Sequence, residues 1–234
     1  MKRKIPVIVT MDTKGPEALF LKDFIERRGF NAPIIDVGTR ESRFDPDYPY
    51  DEVADRAGVT LDELAAMRRD NMMRTMGEGA SQILLDYWAK GELGGAISIG
   101  GNQGTSIASF PMEALPIGIP KLICSTVASG NIRPYVGYKD IMMVFSVFDF
   151  VGGLNSIGQT ILSNGAGAVI GMAEHGIPFT PSEKKTIGIT AFGNTDPAVS
   201  RARYLLEKQG YEVIAFHASG AGGSAMEYLI QQGY

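Results

Sequence analysis

The apolar positions of this chain fall into short continuous runs separated by stretches of helical period. Ile5 to Thr10 is a β-branched run, the signature of a strand buried on both faces. Met11-Asp12-Thr13-Lys14-Gly15-Pro16-Glu17 breaks it with polar residues, and Pro16 suits a first helical turn. The helix that follows is expected to turn Leu19, Phe20, Phe24 and Ile25 to one face and to end at Gly29. Pro33 to Val37 reads as a second strand, which completes a βαβ unit. Gly38 to Tyr50 is polar, holds Pro46 and Pro49, and reads as a loop. Thr60 and Glu63 have the spacing of a capping box, so a helix starts there. It is expected to run to about Trp88, with a break near Gly77 and Gly79. The segment from Gly38 to about Gly79 is longer than a crossover needs, which leaves a lid, an interface element or a covering layer open.

The pattern then sharpens. In GGAISIGGNQGTSIAS, Ala96 to Ile99 reads as a buried strand, Gly100 to Thr105 as a glycine-rich loop, and Ser106 as the start of a helix reaching about Leu115. Pro120 to Cys124 is the next strand and runs directly into a second small-residue loop, Ser125 to Asn131. Asp140 to Phe148 is a further apolar run, followed by Asp149, by Gly152 and Gly153, and by small apolar residues to about Glu174 that suggest a closely packed helix. Strands alternating with helices predict an α/β protein, with a Rossmann-like parallel sheet and helices on both faces over residues 1–178.

His175 to Lys184, with Gly176, Pro178 and Pro181, reads as a linker. Beyond it the opening pattern repeats: a β-rich run ending in Thr190, a loop with Pro197, an amphipathic helix, Gly210-Tyr211 and a strand. Residues 184–234 are therefore the start of a second Rossmann-like domain, with only β-α-β-α present. A piece of that size exposes one side of its sheet, so the chain is expected to be part of a longer protein. The alternative is that this half-domain docks on the first domain or on another chain.

Composition narrows the function classes. The formal net charge is −4 with no basic block, which argues against nucleic acid as the main partner. No apolar stretch has the length of a membrane span, and the apolar run of MKRKIPVIVT is too short for a signal-peptide core. The one cysteine, Cys124, rules out an internal disulfide and suits the cytoplasm. At a strand end it reads as a small core residue.

The candidate chemistry lies in the loops that follow strands. Glycine lets the backbone approach a ligand closely, and a helix N-terminus aims free N–H groups and partial positive charge at an anion. Phosphates are expected on Gly100, Gly101, Asn102, Gly104 and Thr105, with Ser125, Thr126, Ser129 and Gly130 as a facing wall. Asp12, Thr13 and Lys14 would add polar groups from the first loop, Lys14 neutralising phosphate charge and Asp12 holding Mg²⁺ through water. The plainer readings are a tight turn for the glycines, a helix cap for Asp12 and a solvated Lys14. Arg133 is a further candidate anion clamp and Asp149 a candidate acid. No lysine completes GxxxxGK[ST], so a Walker-type loop is absent. His175 and His217 have no partners at metal-ligand spacing, and no nucleophile elbow supports a serine triad.

Taken together, DTKG, SIGGNQGTSIAS, PKLICSTVASGNIRPYVGYKDI and FHASGAGGSAMEYL resemble the tomato mosaic virus resistance protein-like ATP-binding family along the whole chain. The resemblance implies ATP as ligand and a homodimer, but no particular reaction. That family's plant member binds a viral replication protein, so a protein partner stays open. The family has two complete Rossmann-like halves, and this chain departs from it by lacking most of the second. The resulting expectation is an ATP-binding protein of unassigned reaction. Two alternatives stand beside it: a non-catalytic, ATP-stabilised dimeric interaction module, and a binder of a small phosphorylated or carboxylated metabolite.

Overall fold

The computed structural model describes residues 3–150 and 153–234. They form two compact units, one reaching to Pro178 and one spanning Phe179–Tyr234. The first unit runs β1 (Val7–Val9), α1 (Met11–Glu26), β2 (Ile34–Asp36), α2 (Tyr50–Arg56), α3 (Leu61–Ala66), α4 (Arg69–Ala89), β3 (Ala96–Gly100), α5 (Asn102–Ala114), β4 (Lys121–Ser125), α6 (Arg133–Val136), β5 (Met142–Phe145) and α7 (Ser156–His175). Its strands are all parallel, in the order β2-β1-β3-β4-β5. Val7 lies opposite both Ile34 and Ile97, and Cys124 opposite Ile99 and Val144. The winding direction reverses between β1 and β3, which is the switch point of a doubly wound sheet.

Alternating strand residues feed two apolar layers. Val7, Val9, Ile97, Ile99, Leu122 and Cys124 pack with Leu21 and Ile25 of α1 and with Leu162 and Val169 of α7. Ile8, Ile35 and Ile123 pack on the opposite side with Val53, Leu64, Met76, Ile83, Ile107 and Met112 of α2 to α5. Each such buried side chain stabilises the fold by roughly 1.5–3 kcal/mol. The long segment after β2 is therefore a covering layer. Its capping box forms as expected: Thr60 Oγ1 accepts from the Glu63 N–H while the Glu63 carboxylate accepts from the Thr60 N–H. The helical break falls at Met67 and Arg68 instead of at the glycines. Gly77 and Gly79 lie inside α4, where a Cβ would come within 2.6 Å of the Phe110 ring or overlap the Val53 carbonyl oxygen.

Two further boundaries differ from expectation. Helix α1 begins at Met11, so the polar break is drawn into its first turn and the helix kinks at Lys14 (φ −134°, ψ 28°), two residues before Pro16. Its buried face is Met11, Ala18, Leu21 and Ile25, with Glu17 also buried, while Leu19 is 40% exposed and Phe20 and Phe24 flank the core. Helix α5 begins at Asn102, four residues ahead of Ser106. Gly152 lies outside the described residues.

The second unit holds β6 (Thr186–Ala191), a 3₁₀ turn (Gly193–Thr195), α8 (Asp196–Lys208), β7 (Glu212–His217) and α9 (Gly222–Gln231). Its two strands pair in parallel from Thr186 opposite Glu212 to Ala191 opposite His217. Among its described residues, Val213 is the one buried hydrophobic side chain.

Candidate functional site

Parallel strands send all their carboxyl ends to one edge of a sheet, and the loops leaving β1, β2 and β3 meet there. They enclose a cavity of about 410 Å³. Thr10, Asp12, Thr13 and Lys14 line it from the β1 side, Gly38, Thr39 and Arg40 from β2, and Gly101, Asn102, Gln103 and Gly104 from β3. It lies at the switch point, where doubly wound folds take their ligands, and its volume is that of a small-molecule site.

The two adjacent glycines of the β3 exit have different tasks. A Cβ at Gly100 would sit 2.9 Å from Gly104 C and Thr105 N, so this residue allows strand and helix to touch. A Cβ at Gly101 would meet only Thr126 Oγ1, at 3.6 Å. Gly101 is the N-cap of α5, and no side chain caps that end. The N–H groups of the first turn are thus left to solvent or to a ligand. Asn102 Oδ1 accepts from the Tyr135 hydroxyl at 2.8 Å, and Gln103 Oε1 accepts from the Arg69 guanidinium at 2.9 Å.

Beneath this turn lies a buried brace. Thr105 and Ser125 are both fully buried, and their hydroxyls bond to each other at 2.6 Å. Ser125 Oγ also accepts from the Val127 N–H at 3.2 Å, and the Thr126 N–H donates to the Gly100 carbonyl at 3.2 Å. The second small-residue loop therefore supports the first. Ser129 and Gly130 are exposed and are not among the residues lining the cavity.

Charge around the cavity is unevenly matched. Lys14 Nζ is 3.4 Å from Thr13 Oγ1 and 6.0 Å from the centre of the Phe150 ring. Among the described residues neither Lys14 nor Arg40 forms an ion pair, and neither does the exposed Asp12. Asp36, the last residue of β2, is buried, and its Oδ1 accepts from the N–H groups of Met11 at 3.0 Å and Gly38 at 2.8 Å. Burial pushes its carboxyl up to about 6; the two N–H groups hold it down in part, and neighbouring Asp12 adds to the rise. This side chain ties the start of α1 to the turn after β2 and so fixes two walls of the cavity.

The structure brings together Asp12, Thr13, Lys14, Gly101, Asn102 and Gly104 of the expected residues, with Gly100, Thr105, Ser125 and Thr126 behind them. Sequence reasoning missed Thr10, Asp36, Gly38, Thr39, Arg40 and Gln103. Gln103 lay inside the glycine-rich loop; for the others the one available signal was position at strand ends. Arg133 lies instead at a hollow of about 390 Å³ with Glu113, Asn131, Pro134, Gly137 and Tyr138. Asp149 is exposed and is not part of the lining. Cys124 is a buried core residue whose thiol burial pushes up to about 12.

Comparison with known proteins gives a consistent family. Residues 3–177 match the N-terminal domain, and residues 184–234 the C-terminal domain, of the family described as Uncharacterised protein family (UPF0261). A UPF0261 protein of Clostridium tetani is 46% identical over 236 residues, covering 100% of this chain and 58% of that protein. One from Mesorhizobium japonicum is 38% identical over 232 residues, covering 99% and 57%. The ToMV susceptible protein tm-1(GCR26) of Solanum lycopersicum is 34% identical over 253 residues, covering 97% of this chain and 33% of that protein. The chain thus spans less than two thirds of the length of these relatives. On these matches across nearly its whole length, the chain belongs to the UPF0261 family.

Proposed function

We propose that this chain is a nucleotide-binding protein that holds ATP in the cavity at the β1–β3 switch point, its phosphates against the first turn of α5. The observation that carries this reading is the pair of cations, Lys14 and Arg40, which form no ion pair among the described residues and line the same cavity as the uncapped start of that helix. The donor set fits a polyphosphate: two side-chain cations, free backbone N–H groups, and glycine where a side chain would intrude. Asp12, exposed and without an ion pair among the described residues, suits a Mg²⁺ ion held through water. The reading is one of binding, with the reaction unassigned. A homodimer whose nucleotide stabilises it, in the cytoplasm, is the assembly we favour. The single buried thiol accords with a reducing compartment.

The test is calorimetric titration with ATP and Mg²⁺ of the parent and of Gly101→Val. Space around Gly101 is open, so the variant should unfold within about 2 °C of the parent. Its affinity for ATP should fall by at least about 50-fold, some 2.3 kcal/mol. A parent that ignores ATP, or a variant that binds it equally well, would overturn the proposal. Binding of inorganic phosphate or a small carboxylate in place of ATP would favour the metabolite reading.

A further inference from the structure

Two amide side chains open α5, and each is tied from outside the cavity. The Tyr135 hydroxyl, from α6, donates to Asn102 Oδ1. The Arg69 guanidinium, at the start of α4, donates to Gln103 Oε1. In both cases the engaged atom is the amide oxygen. A guanidinium carries donors only, so chemistry alone forces the orientation of Gln103. An amide presents one acceptor atom and one two-donor atom on opposite sides. With the oxygens held by Tyr135 and Arg69, the groups left over are Asn102 Nδ2 and Gln103 Nε2, both donors, on residues that line the cavity. A reversed amide would set a partial negative charge beside any bound anion.

We infer that Tyr135 and Arg69 are positioning residues that set the polarity of this cavity and make it selective for a polyanion. They hold Asn102 and Gln103 donor-side inward, in series with Lys14 and Arg40. The carboxylate against them in the lining is Asp12, exposed, where a divalent cation accompanying a polyphosphate would shield it. The inference rests on the nucleotide reading for the name of the ligand, but it requires only an anion. It also accounts for residues that touch no ligand: α4 and α6 act on the site through one hydrogen bond each.

The experiment titrates the parent, Tyr135→Phe, Arg69→Met and Arg69→Lys with pyrophosphate, ATP and AMP, each with Mg²⁺. Phenylalanine keeps the ring and loses the donor. Lysine keeps a donor-only cation. Tyr135→Phe and Arg69→Met should each weaken pyrophosphate and ATP about five- to tenfold and AMP less than about twofold, because fewer charged oxygens face the amides. Arg69→Lys should recover most of the loss. Thermal unfolding should stay within about 2 °C throughout. Equal losses for ATP and AMP would show a merely structural role and overturn the inference, as would no loss at all. A parent that binds pyrophosphate but not ATP would remove the nucleotide reading and leave this one standing. A parent that binds neither would remove both.

Discussion

The two edges of the five-stranded sheet treat charge in opposite ways. At the amino edge, Lys4 enters β1 paired with Glu92 and sits 4.6 Å from the centre of the Tyr87 ring. Lys121, the first residue of β4, is fully buried, yet its ammonium reaches the carbonyls of Pro116 at 2.7 Å and Ile119 at 2.8 Å and the carboxylate of Asp140 at 2.7 Å. At the carboxyl edge, Lys14 and Arg40 have no carboxylate partner among the described residues, and buried Asp36 is met by N–H groups alone. A charge that serves the fold arrives with its counter-charge, because an unmatched one costs stability when desolvated. Lys14 and Arg40 line one cavity without a carboxylate partner among the described residues, and they are the cations that the proposed polyphosphate would match.

The comparison can be broken most severely through pH. Asp36 keeps a proton in the native state, up to about pH 6, that the unfolded chain releases near its ordinary value of 3.8. Its stabilising contribution is complete below the unfolded value and is lost as pH rises through about 6, roughly 3 kcal/mol in all. Asp36→Asn keeps an acceptor for Met11 and Gly38 without the titration. Denaturant curves from pH 4 to 7 should therefore show the parent declining against a flatter variant, and parallel profiles would show that Asp36 holds no such proton. Next in size, Lys14→Ala combined with Arg40→Ala should weaken ATP about 100-fold, or 2.7 kcal/mol, with little change in unfolding temperature. A loss of stability instead would mean these cations serve the fold after all. At the other edge, Lys121→Met should cost about 2 kcal/mol, discounted for the partial exposure of Asp140, and leave ATP affinity within about twofold. The smallest contrast sharpens the picture within one loop. Gly100→Ala should cost about 1.5 kcal/mol by pressing on the first turn of α5, and Gly101→Ala less than about 0.5 kcal/mol. Equal costs in a thermal melt would contradict the division of tasks between the two glycines.

How far the chain could be read from its sequence follows from where local chemistry and tertiary packing agree. Strands β1 and β3 were legible because both faces are buried and their runs are continuous. Thr60 and Glu63 were legible because a capping box is complete within four residues. Helix α1 was misread where the kink at Lys14 shifts its phase: the buried set includes Glu17 and excludes Leu19, so polarity and burial part company there. Gly-Asn-Gln-Gly looked like loop because glycine and asparagine form helix poorly, yet Gly101 caps α5 and Asn102, Gln103 and Gly104 begin it. The glycines of α4 looked like breakers because the sequence does not show Phe110 and Val53 pressing on them. Arg40 and Thr39 were invisible inside a polar stretch without motif, and Asp36 was hidden at the end of an apolar strand. In the candidate site, residues carried by a glycine motif were legible apart from Gln103. Those contributed only by strand order were not.

The second unit carries a consequence for exchange with solvent. Six residue pairs run in register along β6 and β7, yet Val213 is the one buried hydrophobic side chain among its described residues. Opening such a ladder exposes little new apolar surface, so its hydrogen bonds should part at a free energy well below that of the five-stranded sheet. In deuterated water the two units would keep separate clocks. The amides of Ile187 and Ile214 would take up label early, while those of Ile97 and Ile123 would hold their protons long after.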